Sequence, residues 1–425
     1  MEEPGSIRRL DLYFHKDFDG VISALAYKEM VQVPGLTVVP KEAQYGEILS
    51  QEVPAGDINA LVDFAEGFDG LQHHIDHHSG SYQANASCIT EFYPGAKSNA
   101  GVLITELLKR GGQSILLLSL MAEAADCIDS AGHHELGFSH NEQRRYIIDE
   151  EVESCCDMQL KMQHYFALNK TLMALKNKHV GSKRYLERFV QDCETWHPVE
   201  MLHLAYELAL QVKVKGKPLF EGSPREFFEM LQKNGDDYRH RFGQSGKPVF
   251  DDGILVLNQP ITSMFALGSY DRYVPFEAYP DTRFLINNWP GMGLLQVSCN
   301  PARQSDADLI SVVEEGIGLV LPDAETDMRF FKRMIKSKAV GELIPPRADL
   351  LEILLGDRAE DIAGRQLRDA EDEELEQYRF NVLDLISNTY GGHRAIANIP
   401  HLGAYGEQRK EMTDRLIEFV VGRLG

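Results

Sequence analysis

Apolar residues in the first third of the chain fall into short runs, and several of these runs end on an acidic or imidazole side chain. Residues 10–15 (Leu-Asp-Leu-Tyr-Phe-His) read as a strand. Val21 to Val31, apolar at Val21, Ile22, Leu25, Ala26 and Met30, reads as a helix. Further strands are predicted over 36–40, 60–64 and 72–76. Helices are predicted over 99–109, closed by Gly111-Gly112, and over 115–126. Strands alternating with helices predict an α/β core, a parallel sheet with helices on its faces.

The pattern changes at about residue 135. From there to 246 strand signals vanish, and long helical stretches appear over 158–178 and 198–212. Strands return over 254–257, 283–288 and 294–298. The last two flank Trp289-Pro290-Gly291-Met292-Gly293, a good hairpin turn. The expected division is therefore a core over 1–135, a helical insert or linker over 136–246, and a smaller α/β domain with a mixed sheet over 247–425. Residues 302–378 read as an insertion within that last domain.

A chain of 425 residues is too long for one ordinary core, so several domains fit its length. Its net charge of −22 repels nucleic acid and argues against a long duplex as partner. A small anionic substrate remains compatible, because bound cations reverse the sign inside a pocket. The six cysteines contain no Cys-x-x-Cys pair, which fits reduced thiols in a cytoplasmic protein. The Met-Glu-Glu-Pro-Gly start lacks the order of a signal peptide, and the most apolar stretch, 115–125, is too short to span a bilayer.

The chemistry lies at the ends of the predicted strands. In His15-Lys16-Asp17-Phe18-Asp19-Gly20, His15, Asp17 and Asp19 lie two apart, a spacing that puts their side chains on one side of a strand. Asp63 closes another strand, Asp76-His77-His78 a third, and Asp126 follows on the helix. Ligands bind at the carboxyl edge of an open α/β sheet. A mixed set of carboxylates and imidazoles there suits divalent cations, Mn²⁺ above all, with Mg²⁺ or Co²⁺ as alternatives. Two cations about 3.5–4 Å apart would offset the repulsion among the carboxylates and generate a bridging hydroxide for in-line attack on phosphorus. The blander readings are ordinary: Asp17 or Asp19 as a helix cap, His73 and His74 as strand residues, Asp129 and His133-His134 as loop residues. Gly391-Gly392 reads as a turn, or as a backbone loop holding phosphate with charge from His393 and Arg394.

These motifs resemble the DHH phosphoesterase superfamily, named for the Asp-His-His found here at 76–78. The likeness covers residues 1–135 in four ordered motifs and continues toward the C-terminus as a DHHA1-like accessory domain. The resemblance implies His15, Asp17 and Asp63 as ligands of one Mn²⁺ and Asp19, Asp63, His77 and Asp126 as ligands of a second, with Asp63 bridging. It implies His78 as the phosphate-facing imidazole and Asp76 as the carboxylate that orients the pair. Gly391, Gly392 and His393, with Arg394, would form the substrate loop. Its usual triple glycine is reduced here to two after Tyr390. Asn300 stands where many relatives carry a phosphate-binding arginine, and Arg303 is the nearby substitute.

The implied activity is two-metal hydrolysis of a small phosphorylated substrate, a short oligonucleotide or cyclic dinucleotide. A polyphosphate or pyrophosphate hydrolase is the alternative. Phe265, Tyr270 and Tyr273 are candidate stacking residues or core. A non-catalytic nucleotide sensor would have lost a ligand, and no motif position is missing. The helical segment would serve equally as a scaffold, a homodimer interface or a lid.

Overall fold

A computed structural model describes most of residues 8–43, 58–78, 88–130, 158–233, 249–316 and 391–425. These residues fall into two compact units, the first within Met1–Ala43 and Val53–Arg241, the second within Phe242–Ala266 and Arg272–Gly425.

In the first unit, β1 (Arg8–His15) leads through α1 (Phe18–Met30) to β2 (Leu36–Ala43), followed by β3 (Ile58–Val62), β4 (His73–Asp76) and β5 (Ile89–Phe92). The order is β2-β1-β3-β4-β5, and every pairing is parallel. Parallel pairing brings all carboxyl ends to one edge, where His15, Asp63 and Asp76 lie. The chain leaves β1 toward β2 on one side and returns to β3 on the other. His15 and Asp63 thus flank the switch point of the sheet at its carboxyl edge.

The strands agree with the expected ones to within a few residues, and β5 is an edge strand that the pattern did not predict. Its four residues, Ile-Thr-Glu-Phe, are too short to show a period. Helices α2 (Asn99–Lys109) and α3 (Ile115–Ser130) follow, then α4 (Met158–Leu175), α5 (Tyr185–Asp192) and α6 (Pro198–Gln211). Two short ribbons, β6 (His179–Val180) with β7 (Lys183–Arg184) and β8 (Lys213–Val214) with β9 (Lys217–Pro218), punctuate them.

Leu12 and Phe14 of β1, Ile22 and Leu25 of α1, Leu103 of α2 and Met121 of α3 join one buried cluster with Tyr165 and Leu168 of α4, Phe189 of α5 and Leu202 of α6. The helices expected as an insert thus bury their apolar residues in the same core as the sheet. At the sheet margin, the Arg184 guanidinium donates to the Glu42 carbonyl at 2.7 Å, and Glu187 accepts the Glu42 amide at 3.1 Å. The outer strand β2 is covered where it would otherwise offer unpaired backbone.

In the second unit, β10 (Val249–Asp251), β11 (Ile254–Asn258), β12 (Phe284–Trp289), β13 (Leu294–Cys299), β14 (Gly391–His393) and β15 (Ile396–Pro400) form a mixed sheet of order β10-β11-β12-β13-β15-β14. Trp289 faces Leu294 across the predicted hairpin. Along β11, Ile254 faces a cluster with Leu416 and Val420 of the helix Gly406–Leu424. Its neighbour Leu255 faces the opposite side, with Phe276.

Candidate metal centre

The turn after β1 is fixed by backbone crowding. Asp17 has extended backbone, and its Oδ1 accepts the Gly20 amide at 2.9 Å, capping α1. A side chain at Gly20 would collide with the carbonyl of His15, so the glycine lets α1 begin within two residues of the strand. This leaves Asp17 Oδ2 2.6 Å from His15 Nδ1, and His15 Nδ1 3.7 Å from Asp63 Oδ2. Asp17 is therefore both helix cap and site residue.

Asp63 follows β3 with φ +60°, the sole left-handed non-glycine among the described residues. Such backbone costs about 1–3 kcal/mol, and aspartate tolerates it better than most side chains. Its amide still donates to the Ile75 carbonyl at 3.0 Å. The Asp63 side chain is buried, with Oδ1 3.4 Å from His77 Nε2 and 3.9 Å from His78 Nδ1.

At the end of β4 the two imidazoles are set by different acceptors. The Ala96 carbonyl takes the proton of His77 Nδ1 at 3.2 Å, which turns Nε2 toward the carboxylates. Asp76 Oδ1 holds His78 Nδ1 at 2.7 Å, and its Oδ2 accepts the His78 amide at 3.2 Å. His77 Nε2 then lies 3.4 Å from Asp19 Oδ2, 3.4 Å from Asp63 Oδ1 and 3.6 Å from Asp129 Oδ2.

The structure places the two acidic residues of the fourth motif apart. The structure seats Asp126 against the start of α2, where its Oδ1 accepts the Ser98 hydroxyl at 2.6 Å. Asp129, one helical turn later and expected as a loop residue, is the carboxylate beside His77. The reason is that α3 runs on to Ser130, past the apolar run that suggested an end near 126. The available signal was the Asp126-x-x-Asp129 spacing across Cys127 and Ile128, which places both carboxylates on neighbouring faces of a continuing helix.

Three sets of side chains offer ligand atoms close enough to share a cation: His15, Asp17 and Asp63; Asp63, His77 and His78; and Asp19, His77 and Asp129. Asp63 belongs to the first two and joins them. Asp63 Oδ1, His77 Nε2 and Asp129 Oδ2 are buried and find no hydrogen-bond partner of good geometry. Buried polar atoms that converge without bonding suit a cation as their common partner.

Burial opposes charge on His15 and His77, yet their neighbours overcome it. Asp17 foremost raises His15 to about 9, and Asp63 with Asp19 raises His77 to about 11. Burial also weighs against charge on His78, which Asp76 then lifts above the usual histidine range. Burial, then Asp63 and Asp129, pushes Asp19 well above the usual carboxylate range. Burial foremost also pushes Asp129 to about 7. Burial disfavours charge on Asp17 and Asp63 too, but the imidazoles win: His15 holds Asp17 low, and His15 and His77 hold Asp63 well below the usual range. Protons here supply positive charge that divalent cations would supply more effectively.

The remaining expected residues are placed as follows. Gly391 and Gly392 sit opposite Asn398 and Ala397, and His393 opposite Ile396, in the edge strand β14. Arg303 is exposed and donates to Asp281 at 3.0 Å. Asn300 is buried and donates to the Thr282 carbonyl at 2.7 Å, a structural bond within the second unit. Arg394, Phe265, Tyr270, Tyr273, His133-His134 and most of 302–378 lie outside the described residues.

No protein-family model matches the chain, and no curated protein sequence does either. Solved structures similar to it include the following three. The pGpG-specific phosphodiesterase PggH from Vibrio cholerae shares 13% identity at a TM-score of 0.48, over 98% of this chain and 100% of its own. RecJ from Thermus thermophilus, in complex with Mn²⁺, shares 12% at 0.47, over 98% of this chain and 52% of its own. An exopolyphosphatase-related protein from Bacteroides fragilis shares 9% at 0.41, over 99% and 94%. Among the described residues, no helix is long and apolar enough to cross a membrane.

Proposed function

We propose that the chain is a metal-dependent phosphoesterase of the DHH type, which hydrolyses phosphodiester bonds in short oligonucleotides or cyclic dinucleotides with two divalent cations, Mn²⁺ foremost. The observation that carries this reading is the shared position of Asp63. One of its oxygens faces His15, and the other faces His77, which also meets Asp19 and Asp129. A lone buried carboxylate needs one partner, whereas one placed between two ligand sets suits a bridge between two cations.

In this assignment His15, Asp17 and Asp63 hold one cation, and Asp19, Asp63, His77 and Asp129 the other. Bound there, the pair would supply Lewis acidity, making a water nucleophilic at neutral pH and drawing charge from the phosphoryl oxygens. The chain's own part is placement. The Ala96 carbonyl fixes the His77 tautomer, and Asp76 holds the Nδ1 proton of His78, so that His78 faces the phosphoryl group in a set orientation. Gly391, Gly392 and His393 keep the substrate-binding role assigned from the sequence, and the net charge of −22 favours short substrates over long strands.

The test is a side-by-side assay with Mn²⁺ on a linear dinucleotide, a cyclic dinucleotide, a long single strand and tripolyphosphate. Turnover of the first two above the others is the expected result. Preference for tripolyphosphate overturns the nucleotide assignment in favour of a phosphoanhydride hydrolase. No turnover of any of the four, with Mn²⁺ bound, overturns the enzyme reading.

A further inference from the structure

His74 is a buried histidine on β4 that the reaction outlined above does not use. Side chains alternate along a strand, so His74 and Asp76 share one face while Ile75 takes the other. Its Nε2 lies 2.7 Å from the carbonyl oxygen of Phe64. A carbonyl only accepts, so Nε2 is the donor and carries the proton. Burial lowers the pKa of His74, in keeping with a neutral ring.

Phe64 is the residue after Asp63, where the backbone is left-handed. Two consecutive residues of β4 therefore clamp the strained position from either side. Ile75 accepts the Asp63 amide at 3.0 Å, and His74 donates to the carbonyl that follows at 2.7 Å. The first bond continues the sheet. The second needs a side chain, and an aliphatic residue at 74 would remove this donor from a buried carbonyl. The consequence reaches the site twice: the Asp63 carboxylate is aimed by its own backbone, and the Phe64 ring stands edge-on to His15, with centroids 5.2 Å apart. Gly67 closes the pocket, since a side chain there would press on His74 Nδ1 and on Leu71.

We propose that His74 is a positioning residue of the metal centre: its hydrogen bond to the Phe64 carbonyl holds the left-handed turn at Asp63 and so aims the shared carboxylate at both cations. This rests on the two-cation reading above. His74, although next to the Asp76-His77-His78 motif, belongs to none of the three ligand sets, and its second nitrogen, Nδ1, faces Gly67 instead of the carboxylates.

Two variants of like chemistry and different reach test it. The amide nitrogen of glutamine falls near the place of Nε2 and can donate to Phe64, whereas that of asparagine stops short. Mn²⁺ affinity is measured by titration calorimetry on wild type, His74→Gln and His74→Asn, beside the thermal unfolding of each protein without metal. The expected result is near-native affinity for His74→Gln and a loss of about 10- to 100-fold for His74→Asn, the range typical of groups that orient ligands. A merely structural histidine would lower the unfolding midpoint in one or both variants and leave affinity unmoved, which overturns the role. So does equal weakening in both variants. Absence of Mn²⁺ binding by the unaltered protein instead overturns the metal centre. If His74→Asn does not fold, His74→Leu, which keeps the buried bulk without the donor, takes its place.

Discussion

Asp19 Oδ2 accepts the backbone amide of Asn99 at 2.8 Å, and Asp19 Oδ1 that of Ala100 at 2.7 Å, so a residue in the first turn of α1 also closes the open end of α2. One carboxylate serves as cap and as prospective cation ligand, and substitution should separate the two roles. Asp19→Asn keeps one oxygen for one of the two amides, turns an NH₂ toward the other and loses the charge. It should lose Mn²⁺ affinity by more than about 100-fold, beyond the effect of a group that merely orients a ligand, and melt between wild type and Asp19→Ala. Asp19→Ala should lose affinity equally and also stability, by about 1–2 kcal/mol for the unsatisfied helix end. Calorimetric titration with Mn²⁺ and thermal unfolding separate the two.

Much of the first unit was legible because its strands end where its chemistry begins. Leu12, Tyr13 and Phe14 lead directly to His15, and the glycine at 20 signals a tight start to α1. What escaped were features that depend on tertiary contacts. Ile89–Phe92 is too short to carry a period, and it becomes a strand because β4 offers a parallel partner. The helices of 158–211 look autonomous in sequence, since periodicity gives the apolar face of a helix and not what covers it. Arg303, named from its nearness to Asn300 along the chain, meets Asp281 at the surface, a pairing that periodicity does not show.

Asp126 and Asp129 differ by one helical turn and should differ in what their loss removes. Asp126→Ala leaves the Ser98 hydroxyl without its 2.6 Å acceptor and should cost about 1–2 kcal/mol of stability, with Mn²⁺ affinity reduced less than tenfold. Asp129→Ala removes a ligand atom beside His77 and should reduce affinity by more than about 100-fold. Because Asp129 lies at 18% side-chain exposure near the end of α3, its removal should barely alter the melting temperature. The reverse ranking in Mn²⁺ titrations would return the fourth motif to Asp126.

Asp63 combines charge with unusual backbone, and the two can be told apart. Asparagine tolerates left-handed φ about as well as aspartate, so Asp63→Asn should keep the fold and lose turnover of any substrate the protein cleaves. Alanine in the same conformation adds strain of about 1–2 kcal/mol, and Asp63→Ala should melt earlier as well. Asp63→Gly removes that strain and should melt above Asp63→Ala while remaining equally inactive. Equal melting of the alanine and glycine variants would show that φ here carries no cost.

The raised imidazoles make cation binding pH-dependent, with a sign set by competition. His15 and His77 hold protons up to about 9 and 11, so at neutral pH both nitrogens are protonated and a cation must displace those protons. Raising the pH removes the competitor, so affinity should climb, by about tenfold per pH unit for each proton released. Between pH 6 and 8, then, the logarithm of Mn²⁺ affinity should rise by more than about one per unit, and His77→Gln should flatten the slope by about one. Asp129, near 7, adds to the slope only at the acid end of that range. The stability of the protein without metal runs the other way. Histidines whose pKa is raised on folding stabilise the fold fully below their ordinary value of about 6.5, and that contribution is lost as pH rises through 9 and 11. Alkaline melting should therefore fall in EDTA and recover with Mn²⁺, with the recovery growing toward pH 9. Titrations in buffers of different ionisation enthalpy count the released protons directly, and a count of zero would break the link between these imidazoles and the cations.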